Sequence, residues 1–308
     1  MSDNPSPYDF DESAEMTAVV TLADLRQGRR QAKDRHLLIR ARGAQLGHVT
    51  KLGADPLRVG RSQECELWLN DDGVSRKHAV LRREGPAYVI EDTQSANGTF
   101  VGGQRIESVV LRDGDLIQFG PQAVFRYSLA DENQETLLRQ LYEASVTDAL
   151  TGANNREHFD SQLRVELSYA KRHSTDVALV LFDVDHFKRV NDTHGHTVGD
   201  DVLIEIARIA RSMVRGEDVF ARYGGEEFAL ILRGIDLKGA HIVGERLRAR
   251  IADTEIPTGA GPLQITISVG CATIREAPES TAEVLLQTAD KRLYSAKRNG
   301  RNRVASSE

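Results

Sequence analysis

The spacing of apolar residues divides the chain into two regions of different type. From residue 36 to about residue 127, short apolar or alternating runs are separated by turn-forming pairs such as Asn97-Gly98 and Gly102-Gly103. Many short runs with regular turns are typical of an antiparallel β-sandwich or barrel. The predicted strands are His36–Arg40, Leu57–Gly60, Glu66–Leu69, His78–Arg82, Ala87–Glu91 and Leu116–Phe119.

A helical pattern follows at residues 129–146. Leu137, Leu138, Leu141 and Tyr142 recur there at helical spacing in an otherwise polar segment. This pattern predicts a helical linker whose apolar stripe can pair with a second copy of itself. We therefore expect residues 129–146 to connect two domains and to act as a dimer element.

From residue 147 to residue 305, helical and strand patterns are mixed. Val177–Phe182 is apolar on both faces, as in a central strand, whereas Leu263–Cys271 alternates as in a half-buried strand. Gly224-Gly225 separates two apolar runs, which predicts a β-hairpin. The order αβαββαβα predicts an α/β (α+β) domain with one antiparallel sheet and helices on one side.

Composition narrows the class of protein. The 308 residues include 40 Lys+Arg and 46 Asp+Glu, for a net charge of −6. A chain without an overall positive field is a poor candidate for nucleic-acid binding, and no apolar run approaches the ~20 residues of a membrane span. Its two cysteines lie far apart, as expected for a cytoplasmic protein. Residues 1–35 are acidic and predict a mobile tail.

Three short groups in the first region have the chemistry of a phosphate site. Gly60-Arg61-Ser62, Ser75-Arg76-Lys77-His78 and Ser95-Ala96-Asn97-Gly98-Thr99 all lie at strand ends or in turns. Loops at one end of a sandwich can converge on a ligand, and cations with a hydroxyl suit a phosphate dianion.

The order and spacing of these groups resemble the forkhead-associated (FHA) domain, over residues 36–128. The resemblance implies a β-sandwich that binds phosphothreonine peptides. It implies that Arg61 and Ser75 hold the phosphate with help from Arg76 or Lys77, and that Asn97 holds the peptide main chain.

Two acidic positions stand out in the second region. Asp183 directly follows the predicted central strand, and Glu226 directly follows the Gly224-Gly225 turn. A carboxylate at the end of a buried strand is costly unless opposite charge balances it. Two carboxylates on adjacent strands suit Mg²⁺ or Mn²⁺, which prefer oxygen ligands. A pair of such ions can stabilise both the attacking and the leaving oxygen of an in-line displacement.

The second region resembles the GGDEF family of diguanylate cyclases, over residues 147–305. Arg222-Tyr223-Gly224-Gly225-Glu226-Glu227-Phe228 is the GGEEF form of the family signature. Further matching segments are Asp148–Gly152, Asn191–His196, Asp290–Lys297 and Gly300–Asn302. The resemblance implies a palm-like fold akin to nucleotidyl cyclases. It also implies condensation of two GTP into cyclic di-GMP and two pyrophosphates by two domains that face each other in a homodimer.

The same resemblance implies roles for individual residues. Asp183, the Val184 carbonyl and Glu226 would bind metal, with two Mg²⁺ or Mn²⁺ ions per site, and Glu226 would activate the 3′-hydroxyl. The residues implied in GTP binding are Asn191 and Asp200 at the guanine, and Phe187, Lys188, Lys297 and Arg301 along the triphosphate. A carboxylate at residue 200 can accept from guanine N1–H and the 2-amino group, two donors that adenine lacks.

A further pair resembles the product-inhibition site of the family. Arg215 and Asp218, joined by Arg246 from a later helix, would bind cyclic di-GMP. An arginine fork suits phosphate and the guanine edge, and an aspartate suits the guanine donors.

The leading interpretation is a diguanylate cyclase regulated by a phosphothreonine-reading FHA domain. Thr17 and Thr21 in the tail are candidate sites for a Ser/Thr kinase, so the phosphopeptide is either this tail or a partner protein. One alternative is a catalytically silent nucleotide receptor, and another is a signalling scaffold in which the FHA domain carries the function. The filled carboxylate positions favour the enzyme over the receptor.

Overall fold

The protein was analysed as a computed structural model, which describes residues 35–43, 45–276 and 281–307. Thr17, Thr21 and the predicted tail up to residue 34 lie outside these ranges. Within them, no helix has the length and apolar character needed to cross a bilayer.

The N-terminal domain is a β-sandwich, as the short runs predict. One sheet has six strands in the order β2-β1-β11-β10-β7-β8, and the other has five in the order β4-β3-β5-β6-β9. Aromatic and aliphatic side chains from both sheets, including Tyr88, Phe119 and Tyr127, fill the space between them. The strands are β1 Arg35–Arg42, β2 Val49–Lys51, β3 Leu57–Gly60, β4 Leu67–Trp68, β5 Ala79–Glu84, β6 Ala87–Asp92, β7 Thr99–Val101, β8 Gln104–Ile106, β9 Ser108–Val110, β10 Leu116–Phe119 and β11 Ala123–Ala130.

The linker helix α1, Glu132–Val146, begins later than the predicted 129–146 segment because residues 129 and 130 still belong to β11. Asp131 caps its N-terminus and Gln134 completes a capping box. The predicted apolar stripe is divided between two faces. Leu138 packs against the N-terminal domain, whereas Leu137 and Leu141 stay 55% and 59% exposed.

The C-terminal domain is built on a five-stranded sheet in the order β13-β14-β12-β17-β18. All of its strand pairs are antiparallel except β17 with β18. A small β15–β16 pair lies beside it. The helices are α2 Arg156–His173, α3 Phe187–His194, α4 His196–Met213, α5 Leu237–Ala252 and α6 Ala282–Arg298, with a 3-10 turn at Ile274–Glu276. The strands are β12 Val177–Val184, β13 Val219–Arg222, β14 Glu227–Arg233, β15 Glu255–Ile256, β16 Leu263–Gln264, β17 Ile267–Thr273 and β18 Val304–Ala305.

The expectation of helices on one side of this sheet is wrong. Val180 and Phe182 of β12 pack into a core with α4 and α5, whereas Leu179 and Leu181 pack into a second core with α2 and α6. A strand that is apolar on both faces must be covered on both faces, because its side chains alternate between them.

The half-buried strand predicted for Leu263–Cys271 is also wrong. The segment divides into β16 and β17, and every residue of β17 is buried. Of the polar positions in the segment, Gln264 is exposed, whereas Thr266 and Ser268 donate hydrogen bonds to the buried carboxylate of Asp185.

Candidate functional sites

The C-terminal candidate site, called the acidic edge below, consists of Asp183, Val184 and Glu226. Asp183 and Val184 end β12, and Glu226 lies in the turn between β13 and β14. Because β12 pairs with β14, this turn folds back over the end of β12, and the Val184 amide donates to the Glu226 carbonyl at 3.2 Å. The sheet thus brings together the three groups that the sequence predicts as metal ligands.

The shape of this turn depends on Arg222. Its Nη2 donates to the Gly225 carbonyl at 2.7 Å, and its Nη1 lies 3.1 Å from Asp148 Oδ1. The Tyr223 amide donates to the Glu227 carbonyl at 2.8 Å, which closes the turn. Because Arg222 bonds both the turn and the segment before α2, Glu226 is held on a fixed frame.

Burial raises the pKa values of both carboxylates of the acidic edge. Asp183 is 4% exposed. Burial raises the pKa of Asp183 to about 6, an effect opposed by Lys297, whose Nζ lies 2.8 Å from Asp183 Oδ2, and increased by the nearby Glu226 and Glu227. Burial also raises the pKa of Glu226. Carboxylates that share a buried region gain from a cation placed among them.

The donor set fits a hard divalent cation that is also bound by substrate. Two carboxylates and one carbonyl offer only oxygen, the donor that Mg²⁺ prefers, and Mg²⁺ commonly takes its remaining ligands from water and phosphate. In the part of the chain that the structure describes, no group of three or more His, Cys, Asp or Glu could form a complete protein cage for a metal. The acidic edge is therefore suited to a metal that arrives with a nucleotide.

An amide group projects from α3 toward α4. Asn191 Oδ1 is buried and has no hydrogen-bond partner. Gly199 on α4 leaves room for it, because a Cβ at residue 199 would lie 1.9 Å from that oxygen. Asp200, the next residue, is exposed, and Phe187 is buried beneath Gly199. An unpartnered buried acceptor next to an open carboxylate can receive the donors of a purine edge.

The three cationic side chains predicted to bind the triphosphate lie in different surroundings. Lys188 is exposed in the first turn of α3. Lys297 is paired with Asp183 rather than free. Arg301 is exposed in a left-handed conformation, with φ 58°, immediately after α6.

The predicted inhibition site is assembled only in part. The Arg215 amide donates to Asp218 Oδ2 at 3.1 Å, so these two residues form one tight turn before β13. Arg246 is exposed on α5. Among residues 35–43, 45–276 and 281–307, Arg246 makes no hydrogen bond or ion pair with Arg215 or Asp218.

The N-terminal candidate site, called the phosphate loops below, consists of residues 60–62, 75–78 and 95–99. The Arg61 amide donates to the Ser75 carbonyl at 2.9 Å, and the Ala96 amide donates to Ser75 Oγ at 3.0 Å. Asn97 Nδ2 donates to the Gly73 carbonyl at 2.9 Å. These bonds bring Arg61, Ser75 and Asn97 to one end of the sandwich.

His78 fixes the phosphate loops from below. It is fully buried, its Nδ1 accepts from the Ser75 amide at 3.0 Å, and its Nε2 lies 3.2 Å from the Gly98 carbonyl. Burial lowers the pKa of His78, which favours the neutral ring. Above this support, Arg76 and Lys77 are exposed, and the buried Nε of Arg61 has no partner.

Sequence reasoning missed two features that the structure brings to these sites. The first is Asp185, a buried acid two residues after Asp183. Its signal was present in the sequence, because an acid close to the polar face of a neighbouring strand predicts hydrogen bonds rather than solvent. The second is the contact between the domains, which no local pattern predicts.

This contact, called the seam below, joins strand β4 and the loop after it to helix α2 and the end of β14. The rings of Trp68 and Tyr169 meet edge to face with centroids 5.9 Å apart, and the Arg233 guanidinium lies 5.4 Å from the Trp68 centroid. Asn70 Nδ2 donates to the Val165 carbonyl at 3.2 Å. The seam therefore connects strand β4 and the loop after it to the domain that carries the acidic edge.

Comparison with known families agrees with the two-domain organisation. The family profile described as "Diguanylate cyclase, GGDEF domain" matches residues 145–303, and the FHA domain profile matches residues 57–120. The order of the two matches is the order predicted from the sequence.

Named relatives and a solved structure match the second half of the chain. The probable diguanylate cyclase DgcC of Escherichia coli K12 is 38% identical over 54% of this chain and 44% of its own length. The response regulator PleD of Caulobacter vibrioides is 41% identical over 53% of this chain and 36% of its own length. The matched part is thus less than half of each relative.

The crystal structure of the coiled coil and GGDEF domain of DgcB from Caulobacter crescentus, in complex with c-di-GMP, has a similar fold. It superposes with a TM-score of 0.53 at 32% identity, covering 56% of this chain and 92% of that chain.

Proposed function

The chain belongs to the GGDEF family of diguanylate cyclases, and on that premise we propose that it condenses two GTP into cyclic di-GMP and two pyrophosphates under the control of its FHA domain. The observation that carries the proposal is the convergence of Asp183, Val184 and Glu226 at the end of β12. No ligand position of the metal site has been lost, since both carboxylates are present. Glu226 lies close enough to Asp183 to raise the pKa of Asp183.

Asp183, the Val184 carbonyl and Glu226 would hold Mg²⁺ or Mn²⁺, with two ions per site. A bound divalent ion supplies charge neutralisation at the phosphates and at the leaving pyrophosphate. Glu226 accepts the proton of the attacking 3′-hydroxyl, and its raised pKa makes it a better base than an exposed glutamate. The 3′-oxygen then bonds to the α-phosphorus of the other GTP, the bond from that phosphorus to the bridging oxygen breaks, and pyrophosphate leaves.

Substrate recognition falls to the face between α3 and α4. Asn191 Oδ1 accepts from guanine, which fills its unsatisfied position, and Asp200 accepts from N1–H and the 2-amino group. Phe187 supports the base, and Lys188, Lys297 and Arg301 neutralise the triphosphate. Arg215 and Asp218, with Arg246, hold cyclic di-GMP as product inhibitor.

Each ring closure needs two GTP, so two chains must face each other. The exposed stripe of Leu137 and Leu141 on α1 supports a dimer contact made by this helix. The other face of α1 is already used, because Tyr142 stacks edge to face on His48 with centroids 5.3 Å apart.

The FHA domain binds a phosphothreonine peptide at Arg61, Ser75 and Asn97, with Arg76 or Lys77 assisting. The unpartnered Arg61 Nε supports this role, because a buried donor without an acceptor gains most from a phosphate oxygen. A Ser/Thr kinase supplies the ligand, either at Thr17 or Thr21 of this chain or on a partner protein.

The first test is mass spectrometry of the products after the purified full chain is incubated with GTP and Mg²⁺. We expect cyclic di-GMP from the wild type and none from Glu226→Gln, which keeps the shape of the side chain but removes the base. Glu255→Gln, an exposed glutamate of β15, serves as the matched control. Absence of product from wild-type protein stripped of nucleotide and phosphorylated at Thr17 or Thr21 would favour the silent receptor.

A further inference from the structure

Asp185 occupies a position between the acidic edge and the loop that carries Arg301. Its side chain is 4% exposed and accepts three hydrogen bonds. Ser268 Oγ donates to Oδ1 at 2.7 Å, Thr266 Oγ1 donates to Oδ2 at 2.7 Å, and the amide of Asn302 donates to the same Oδ2 at 2.9 Å. The carboxylate is therefore fully engaged and faces away from solvent.

The loop that Asp185 holds has an unfavourable backbone conformation. Arg301 and Asn302 both lie in the left-handed region, with φ 58° and 45°, although neither is glycine. Such residues persist only where surrounding contacts fix them. The Asn302 amide is fixed by Asp185, and its Oδ1 accepts from Arg248 Nη1 at 2.8 Å. The Arg301 amide also donates to the Ala296 carbonyl at 3.1 Å, and Arg303 Nε donates to the Arg301 carbonyl at 3.1 Å, so the contacts of Asn302 complete the set that fixes this loop.

We propose that Asp185 is a positioning residue for GTP, which fixes the Asn302 amide and thereby presents the Arg301 guanidinium to the triphosphate. The position of Asp185 in the chain, two residues after Asp183, suits this positioning role. The strand end that supplies Asp183 continues directly into Asp185, so one short segment sets both the acidic edge and the arginine loop. The inference rests on the proposed function of Arg301.

The test is a double-mutant cycle on the full chain, with binding measured for the non-cyclisable α,β-methylene analogue of GTP and kinetics measured for GTP. Asp185→Asn removes the negative charge that holds the Asn302 amide and replaces one acceptor oxygen with an amide donor, and we expect KM to rise about tenfold with a smaller change in kcat. In an Arg301→Ala background the same substitution should cause almost no further loss, because Asp185 acts through Arg301.

Ser268→Ala is the matched control, because it removes one donor to Asp185 while leaving the bond to Asn302. It should lower stability without moving KM. Should Asp185→Asn not fold, Thr266→Val loosens the same oxygen and should raise KM about twofold to fivefold. Additive losses in the cycle, or an unchanged KM in the folded variants, would overturn the inference. A wild-type chain that does not bind the analogue would instead overturn the proposed function.

A second set of contacts links the phosphate loops to the seam. Asp72 Oδ1 lies 3.8 Å from Arg61 Nη1 and also pairs with Arg172 Nη1 of α2. Arg172 Nη2 donates in turn to Asn70 Oδ1. One carboxylate oxygen is thus shared between the arginine that would bind phosphate and an arginine of the catalytic domain.

We infer that phosphopeptide binding and domain docking strengthen each other through Asp72. Arg172 competes with Arg61 for the Asp72 carboxylate, which leaves the Arg61 guanidinium more available to phosphate. A phosphate bound to Arg61 displaces Asp72 toward Arg172, and the two effects must be equal by linkage. The inference rests on the proposed function of the FHA domain.

The test measures binding of a degenerate phosphothreonine peptide library to the full chain by fluorescence anisotropy at low salt. Arg172→Ala should weaken binding about twofold to fivefold, the range of an exposed ion pair. Asp72→Ala should strengthen binding, and the double variant should match Asp72→Ala alone. Arg208→Ala, on α4, is the matched control. Equal effects of Arg172→Ala in both backgrounds would overturn the linkage, whereas a wild-type chain that binds no phosphopeptide would overturn the proposed FHA function as well.

Discussion

The phosphate loops of the FHA domain and the acidic edge of the GGDEF domain solve different physical problems. The phosphate loops are positioned mainly by main-chain bonds and by neutral His78, and their cations Arg76 and Lys77 stay in water. The acidic edge instead places carboxylates in a buried region, where the pKa of Asp183 rises to about 6. Removing an exposed cation of the first site should therefore be nearly neutral for folding, whereas removing a buried carboxylate of the second should be stabilising.

The largest expected effect is at Asp183. Asp183→Asn removes the buried carboxylate, so cyclic di-GMP synthesis should fall by more than roughly a hundredfold. That factor is the loss expected when a residue that only supports a metal ligand is removed. The rate is measured with GTP and saturating Mg²⁺. Activity within tenfold of wild type would show that the acidic edge does not hold the metal.

The same variant tests stability through its pH dependence. The folded pKa of Asp183 lies above the unfolded value of 3.8, so its contribution to stability is fully present below that value and is lost as the pH rises through about 6. In the absence of metal, Asp183→Asn should match wild type near pH ~4 and exceed it above pH ~7 by up to about 3 kcal/mol. Thermal melts at both pH values measure this, and a variant less stable at the higher pH would contradict it.

Substitution of one close-packed glycine in each domain should give effects of intermediate size. A Cβ at residue 60 would lie 2.2 Å from the Arg76 carbonyl, and one at residue 199 would lie 1.9 Å from Asn191 Oδ1. Gly60→Ala should destabilise the FHA domain by about 1–3 kcal/mol, because it displaces backbone. Gly199→Ala should mainly displace a side chain, so it should raise the KM for GTP with a smaller loss of stability. Melting curves and kinetics of both variants decide whether this order holds.

The smallest expected effect on folding is at Arg61. Arg61→Ala should reduce phosphothreonine peptide affinity about tenfold to a hundredfold, as for a charge-assisted hydrogen bond. It should change the free energy of unfolding by less than about 0.5 kcal/mol, because the side chain is partly exposed and its backbone bonds remain. Lys77→Ala provides a comparison for an exposed assisting cation. A clear loss of stability in Arg61→Ala would place Arg61 in the architecture rather than in the site.

The sequence was informative wherever chemistry follows strand order. The proximity of Asp183 and Glu226 could be predicted from the sequence, because an apolar run and a Gly-Gly turn imply adjacent strands. The phosphate loops were predictable from their spacing, although the exact bonds of Ser75 and Asn97 were not. The strand ends follow from periodicities of two and from turn chemistry, which are local properties, whereas the phosphate loops were identified by their resemblance to the FHA domain.

The sequence misled where side chains pair across the sheet. Thr266 and Ser268 alternate with apolar residues as a solvent-facing set does, yet they bind Asp185. Periodicity distinguishes the two faces of a strand but does not say what covers each face. The seam was unpredictable for a related reason, since Trp68 and Tyr169 are 101 positions apart in the numbering and meet only after both domains have folded.

The seam limits which residues of the FHA domain can be replaced without disturbing the neighbouring domain. Residues 61–75 carry two constraints at once, because Arg61 and Ser75 belong to the phosphate loops while Trp68, Asn70 and Asp72 touch the neighbouring domain. A module exchanged for another FHA domain would keep its own ligand but lose this second set of contacts. Redesign of peptide preference is therefore best confined to residues 95–99, and a transplanted domain has to bring the seam residues with it.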